Sequence, residues 1–484
     1  MSLARGAARG AAWNFASVLA ERGAGFFVLA LLLRVVPAGD VGLIAIASAI
    51  SELARVVANS GASEQVQANP GNRQVEAGAF WSQLMASLVF MTALWGVAPW
   101  IAALYHLPAL VPVLRVMGLS VVMTCFLIVP SARLTSQFRF RAIGMLSLGS
   151  TLLGGACALP LAFTGHGVAA LMMQRLVGVG FYAVSACFCA RWVPPRPPSL
   201  AVLGEGFRFS LPLMEAAFVD FISVTGYVML VGLRMPVGAL AQFRIAQRLM
   251  EILQEVAFLP ARKVFMPVLV AVRTDMPRRA EALRQMLDPL SMLIFFVSAV
   301  SGAAARPIIL LMFGDKWAHA IPVFSILTLV APAVALYGVI NPLLATIGRT
   351  RLISWYAWAN ALTIVACCWL AAPHGVVVLA WALAGRGMVG VLLFLLALRQ
   401  GLQHSAWLVF RLLGLPLAGL AGARLAAYGM GQWLPPLSLA AALVVLVGTS
   451  SFVYVSIVFI LAPHRMKGML LSVCRALFAR HAMP

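Results

Sequence analysis

Fourteen charged side chains sit inside stretches that are otherwise apolar. Eight are arginines: Arg22, Arg55, Arg115, Arg175, Arg244, Arg248, Arg386 and Arg424. Six are acids: Glu21, Glu52, Glu215, Asp220, Glu251 and Glu255. Arginine suits a diphosphate, because its planar fork stays charged and binds phosphate oxygens two at a time. The spacing is helical. Ser48, Glu52, Arg55 and Asn59 step by 4, 3 and 4 and share one face, as do Arg244, Arg248, Glu251 and Glu255. Asn14, Ser17 and Glu21 step by 3 and 4, with Arg22 adjacent. Glu215 and Asp220 are five apart and do not share a face cleanly; they are candidates for ion coupling.

Each such charge facing lipid would cost on the order of 3 kcal/mol on the mildest scale. Fourteen would cost roughly 40 kcal/mol, against a typical net stability of about 5–15 kcal/mol. Three outcomes remain: a water-filled cavity, pairing, or snorkelling to the interface. Pairing would join Arg22 to Glu52 across helices, or Arg248 to Glu251 locally. Arg115, Arg386 and Arg424 are expected near helix ends, where their stems can snorkel.

The elements that carry these residues must be membrane helices. The chain is 62% hydrophobic and 10% charged, with a mean hydropathy of +0.97. A soluble domain holds about 25% charged residues, so an all-α integral membrane fold is expected. About fourteen transmembrane helices are predicted near 11–33, 41–60, 78–104, 110–129, 142–163, 168–190, 210–233, 238–261, 288–311, 320–345, 352–371, 376–398, 409–429 and 437–462. Each can cross ~30 Å of hydrocarbon. Those at 41–60 and 238–261 are polar enough to escape a hydropathy plot. The first stretch is longer than a signal-peptide core, and Glu21 and Arg22 interrupt it, so it is expected to be a span.

A net charge of +21 suggests nucleic acid at first sight, but no nucleic-acid motif or soluble basic domain accompanies it. With the N-terminus inside and the helices alternating, cytoplasmic segments hold 23 of the 35 Lys and Arg residues and the opposite side holds 4. That asymmetry places both termini in the cytoplasm. The longest loop, 262–287, is basic and on the same side. Seven cysteines form no CxxC pair and read as small apolar residues, giving no disulfide and no metal site.

The halves repeat. Pro37, Gly39, Ile46-Ala47 and Glu52 match Pro236, Gly238, Ile245-Ala246 and Glu251 at an offset of 199. Pro99, Pro112 and Pro130 fall opposite Pro307, Pro322 and Pro342 as the offset grows to 212. The reading is two pseudo-symmetric six-helix bundles around a central cavity, residues 1–200 and 201–400, with two further helices and a basic tail in 401–484. An even number of helices per unit gives parallel repeats. No phosphate-binding GxxxxGK[ST] loop, HExxH or GxSxG is present, no cofactor is implied, and no loop reaches domain size. An enzyme is disfavoured and transport remains.

The chain resembles the Wzx-type lipid-linked oligosaccharide flippases of the MOP exporter superfamily. The resemblance rests on Gly10, Trp13, "LLRVVPAGDVGLIAIA" at 32–47, "VPSARLTSQFRFRAIG" at 129–144, "KVFMPVL" at 263–269 and "LMFGDKWAHAIPVFSIL" at 311–327. Two positions depart from it. Asn59 stands where an acid is common, and Val224-Thr225-Gly226-Tyr227 replaces an Asn-x-Asp stretch. The resemblance implies a cationic cavity that opens alternately to either side of a bacterial inner membrane. Its cargo would be an undecaprenyl-diphosphate-linked oligosaccharide, moved for exopolysaccharide or O-antigen assembly. Arg22, Arg55, Arg244 and Arg248 would line the cavity, with Glu21, Glu52, Glu251 and Glu255 as polar partners. Membrane lipids, and glycosyltransferases with a polysaccharide polymerase, are the implied partners. The competing readings are a multidrug exporter of the same superfamily, which an acidic and aromatic cavity would favour, and a non-transporting scaffold with its charges buried in pairs.

Overall fold

A computed structural model describes residues 20–59, 61–271, 276–346, 348–402, 406–433, 438–461 and 463. Asn14, Ser17, Cys474 and the basic tail lie outside them. The described residues are almost wholly helical, with no strand among them. The helices are α1 (20–35), α2 (Ala38–Asn59), α3 (Ala62–Ala68), α4 (Arg73–Leu104), α5 (Leu110–Ser136), α6 (Phe140–Phe163), α7 (Gly167–Ala190) and α8 (Leu200–Phe221). A π-helical turn, Ile222–Gly226, leads into α9 (Tyr227–Arg234). Then come α10 (Val237–Ala271), α11 (Met276–Ala303), α12 (Ala305–Phe313), α13 (Ala320–Thr346), α14 (Thr350–Ala371), α15 (Val376–Leu402), α16 (Ala406–Trp433) and α17 (Leu439–Leu461). A helix overlaps each of the fourteen expected positions. Among the described residues, eight helices are long and apolar enough to cross a membrane by length and composition.

Several boundaries differ from expectation. The segment after α2 holds a short helix, α3, and α4 starts at Arg73 because the Asn72 side chain accepts hydrogen bonds from the amides of Gln74 (3.0 Å) and Val75 (3.3 Å). The expected loop at 262–287 is mostly helix, since α10 runs to Ala271 and α11 begins at Met276. A helix satisfies its own backbone in water as well as in lipid, so it need not stop at the membrane surface. On α11, Glu281 pairs with Arg284 at 3.0 Å and accepts from Gln285 at 2.8 Å, contacts that favour helix.

The chain forms two compact units, Met1–Ala241 and Gln242–Pro484. In the first, α8 and α9 pack on α2, so the seventh span joins the six before it. Small residues bring helices close: a methyl group on Gly154 of α6 would stand 2.5 Å from the Gln174 carbonyl oxygen of α7. Phe80 anchors one core, its ring 5.2–5.6 Å from those of Trp81, Phe126 and Trp192 in edge-on geometry. In the second unit α16 and α17 pack on α11, and the Tyr454 hydroxyl donates to the Met292 carbonyl at 2.9 Å. Trp100, Phe452 and Ile460 are exposed, a pattern suited to lipid contact.

Some turns in the two units share backbone detail. The Val41 amide donates to the Pro37 carbonyl (3.3 Å) and the Leu240 amide to the Pro236 carbonyl (3.1 Å). At the α5–α6 and α13–α14 turns, Arg139 donates back to Leu134 (2.9 Å) and Arg349 to Leu344 (3.0 Å). The residue before each arginine has positive φ, Phe138 at 56° and Gly348 at 74°.

Candidate functional site

In the first unit, helix spacing puts Glu52 and Arg55 within reach of each other. Arg55 Nε donates to Glu52 Oε2 at 2.9 Å, and Nη2 donates to Oε1. Both are half-buried. They line a cavity of about 450 Å³ with Val56, Gly61, Ser63, Glu64, Ile128, Ala217, Asp220, Phe221, Val224 and Thr225. Residues of α2, α3, α5, α8 and the π-helical turn therefore meet at one place, and such turns often mark functional sites. The turn brings Val224 and Thr225 to the wall. Three acids and one arginine line this cavity, so its wall is net acidic.

Helix α7 packs against α2, and its Arg175 lies within electrostatic range of Glu52 and Arg55. Its Nε is buried and lacks a hydrogen-bond partner among the described residues. Glu21 and Arg22 are half-buried on α1, and Glu21 interacts with Tyr182 of α7. Of the two acids considered for ion coupling, both are exposed; Asp220 lines the cavity and Glu215 is not among the lining residues.

The second unit carries the repeat-related stripe on α10. Arg244 Nη1 donates to Gln247 Oε1 (2.8 Å), Gln247 Nε2 to Glu251 Oε1 (3.0 Å), and Arg248 Nη1 to Glu251 Oε2 (3.0 Å). The local Arg248–Glu251 pair weighed from the sequence is present. Glu255, one turn further on, is half-buried. Arg22 and Arg55 belong to the first unit, and Arg244 and Arg248 to the second.

Two arginines expected to snorkel do not. Arg386 lies well inside α15, where Nη1 donates to Asn360 Oδ1 of α14 and Nε is buried. Arg424 lies well inside α16. Its Nη1 donates to Ser325 Oγ (2.9 Å), and its Nη2 donates to the Ser325 carbonyl (3.1 Å), the Ser298 carbonyl (3.4 Å) and Thr328 Oγ1. Gly302 makes room, because a methyl group there would collide with the guanidinium. Neighbouring helices supply enough oxygen that neither stem needs to reach an interface. Arg115 is exposed near the start of α5 and fits the expectation.

Sequence reading missed one strong pair. Arg133 of α5 grips Glu76 of α4 with Nε and Nη2, both at 2.5 Å, and Glu76 is 3% exposed. The two are 57 residues apart, and only the early start of α4 at Asn72 could have hinted that Glu76 is helical.

Residues 28–322 match the family model described as polysaccharide biosynthesis protein. The chain belongs to that family. This polysaccharide biosynthesis protein is 24% identical over 361 residues to the succinoglycan biosynthesis transport protein ExoT of Rhizobium meliloti (strain 1021), covering 73% of this chain and 72% of the relative. It is 20% identical over 351 residues to the lipopolysaccharide biosynthesis protein WzxC of Escherichia coli (strain K12), covering 68% of each. Its fold is similar to that of the lipid II flippase MurJ in an inward closed conformation, with TM-score 0.76, 13% identity, and 93% of this chain and 98% of that one covered. A multidrug resistance MATE family transporter of the MOP superfamily, inward-facing, aligns with TM-score 0.59, 14% identity, and 78% and 94% coverage. The polysaccharide biosynthesis protein is thus a multi-pass membrane protein with the fold of these transporters.

Proposed function

We propose that this polysaccharide biosynthesis protein is a flippase that moves an undecaprenyl-diphosphate-linked oligosaccharide across a bacterial inner membrane. The observation that carries the reading is the set of arginines on α2 and α10 of a chain in this family, a donor set suited to phosphate oxygens. The names of ExoT and MurJ, a transport protein and a lipid flippase, support it. Arg22, Arg55, Arg244 and Arg248 would bind the diphosphate. Glu21, Glu52, Glu251 and Glu255 would hold them in place. Fourteen spans with both termini cytoplasmic agree with the charge asymmetry. The carrier would be loaded by glycosyltransferases and unloaded to a polymerase.

The acidic wall around Asp220 would serve as a cation site for coupling, and its place in the lining favours Asp220 over Glu215. That wall is also the observation favouring a cationic-drug exporter. Reconstituted vesicles separate the two. Purified protein should expose a lipid-linked oligosaccharide to a glycan-cleaving reagent outside the vesicle, more slowly without a cation gradient and in Asp220→Asn. Flipping no faster than in empty vesicles, together with efflux of a cationic dye, would overturn the flippase reading.

A further inference from the structure

The α5–α6 turn and the end of α7 meet at one edge of the first unit. Arg139, the residue before α6, donates from Nη1 to the Cys189 carbonyl of α7 at 2.8 Å. The amides of Trp192 and Arg191 cap the Cys187 (2.9 Å) and Phe188 (3.1 Å) carbonyls. Three carbonyls at the negative end of α7 are therefore occupied by donors, which lessens their repulsion of an anion. Trp192 is buried in a core with Phe80, Val129 and Ala186, which anchors this edge. Two non-glycine residues here adopt left-handed backbone, Phe138 at φ 56° and Arg191 at φ 47°. The comparable turn of the second unit uses Gly348. A bulky residue at positive φ is disfavoured, so a phenylalanine at such a place points to a use for its ring. The ring is 77% exposed, and Phe188 and Val193 nearby are each 79% exposed. Arg139, Arg141 and Arg191 are exposed beside them. Neither Arg139 nor Arg191 makes an ion pair among the described residues, and segments 133–150 and 176–199 contain no acid. Helices α6 and α7 are each 24 residues long and apolar enough to span a membrane. Each rises about 36 Å, so this edge lies at the level of lipid head groups.

We propose that this edge is a binding site for an anionic glycerophospholipid of the membrane leaflet that faces the cytoplasm. The lipid phosphate takes its place among Arg139, Arg141 and Arg191, at the start of α6, where the helix dipole favours negative charge. Arg139 spends one donor on Cys189, and the rest of its planar fork remains for phosphate oxygens. Phe138, Phe188 and Val193 enter the boundary between head groups and acyl chains. A zwitterionic lipid brings its own cation to the same place, so the site selects head groups of net negative charge. It shares no residue with the cavity lined by Glu52 and Asp220, and it does not depend on the flippase reading.

The test titrates full-length protein in detergent with dioctanoyl phosphatidylglycerol, dioctanoyl phosphatidylcholine and inorganic phosphate. Binding is read by microscale thermophoresis, and the unfolding temperature is recorded in parallel. Phosphatidylglycerol should bind about tenfold more tightly than either of the others, the scale of one charge-assisted hydrogen bond. Arg191→Gln should weaken phosphatidylglycerol binding by about tenfold for the same reason. Phe138→Gly should weaken it by roughly threefold or more, because the ring no longer buries apolar surface. The same change should hold or raise the unfolding temperature, since glycine accepts the backbone of this turn without strain. A turn with a structural role alone would show the gain in stability without the loss of affinity. Equal affinity for the two lipids, or inorganic phosphate binding as tightly as phosphatidylglycerol, would overturn the proposal. Unchanged phosphatidylglycerol affinity in either variant would do the same. Loss of folded protein in Phe138→Gly would make the ring a packing element and also overturn it.

Discussion

The two units handle charge inside the membrane in different ways. In the first, arginines meet carboxylates: Arg55 with Glu52 and Arg133 with Glu76. In the second, three of the four arginines placed in helices rest on neutral oxygen: Arg244 on Gln247, Arg386 on Asn360, and Arg424 on serine, threonine and main-chain carbonyls. Only Arg248 among those four is shown with an acid, Glu251, through a single hydrogen bond. The sequence already contains this difference. The first unit carries four intrahelical arginines and four acids, the second four arginines and two acids, so the whole positive excess belongs to the second. The comparison teaches that two units built of similar helices can differ in charge balance: the intrahelical charges of the first are even, and those of the second keep a positive excess.

The comparison breaks most visibly where a pair is stranded. Arg133→Ala leaves Glu76 as a buried carboxylate without its partner and should cost about 3–5 kcal/mol. Arg386→Leu removes a charge along with its desolvation cost, and Asn360 is only neutral. It should therefore change stability by no more than about 1–2 kcal/mol. Thermal unfolding of the two variants in the same detergent checks this. Equal losses would mean that the units treat buried arginine alike.

A smaller effect is expected at the Arg424 seat. Gly302→Ala pushes a methyl group into the guanidinium and should cost about 1–3 kcal/mol, typical of overpacking. The double variant Gly302→Ala with Arg424→Ala should lose less than the two single changes added together, because the clash disappears. Strict additivity in the unfolding temperatures would show that the two residues do not meet.

The smallest change sharpens the α2–α10 contrast. Gln247→Leu cuts the link from Arg244 to Glu251 and should cost about 0.5–1.5 kcal/mol. It should also reduce lipid-linked oligosaccharide flipping by a few-fold. The corresponding Ser48→Leu on α2 should leave the Arg55–Glu52 pair, and flipping, closer to the parent. A reversed order in the vesicle assay would show that α2 depends on its polar neighbour more than α10 does.

Helix positions were legible because lipid demands long apolar runs, and the polar stripes of α2 and α10 were legible because they recur at helical spacing. The Arg248–Glu251 contact follows the same logic, since residues three apart on a helix are neighbours. Helix ends were less legible. Glu76 reads as loop until Asn72 is seen capping α4, and the 262–287 segment reads as loop because its charges mark the end of the membrane but not the end of the helix. The π-helical turn at Ile222–Gly226 has no simple sequence signal, yet it brings Thr225 to the cavity wall.

The sequence by itself determined the membrane class, the order of the helices, the repeat, and which charges share a face on one helix. Those properties depend on composition and on residues within one or two turns of each other. Tertiary structure alone decided that α7 packs against α2, that Arg133 grips Glu76, and that Arg424 rests among Ser298, Ser325 and Thr328. Each of these joins residues tens to more than a hundred positions apart. Their meeting depends on how closely small residues such as Gly154 and Gly302 let helices approach, which local spacing does not encode.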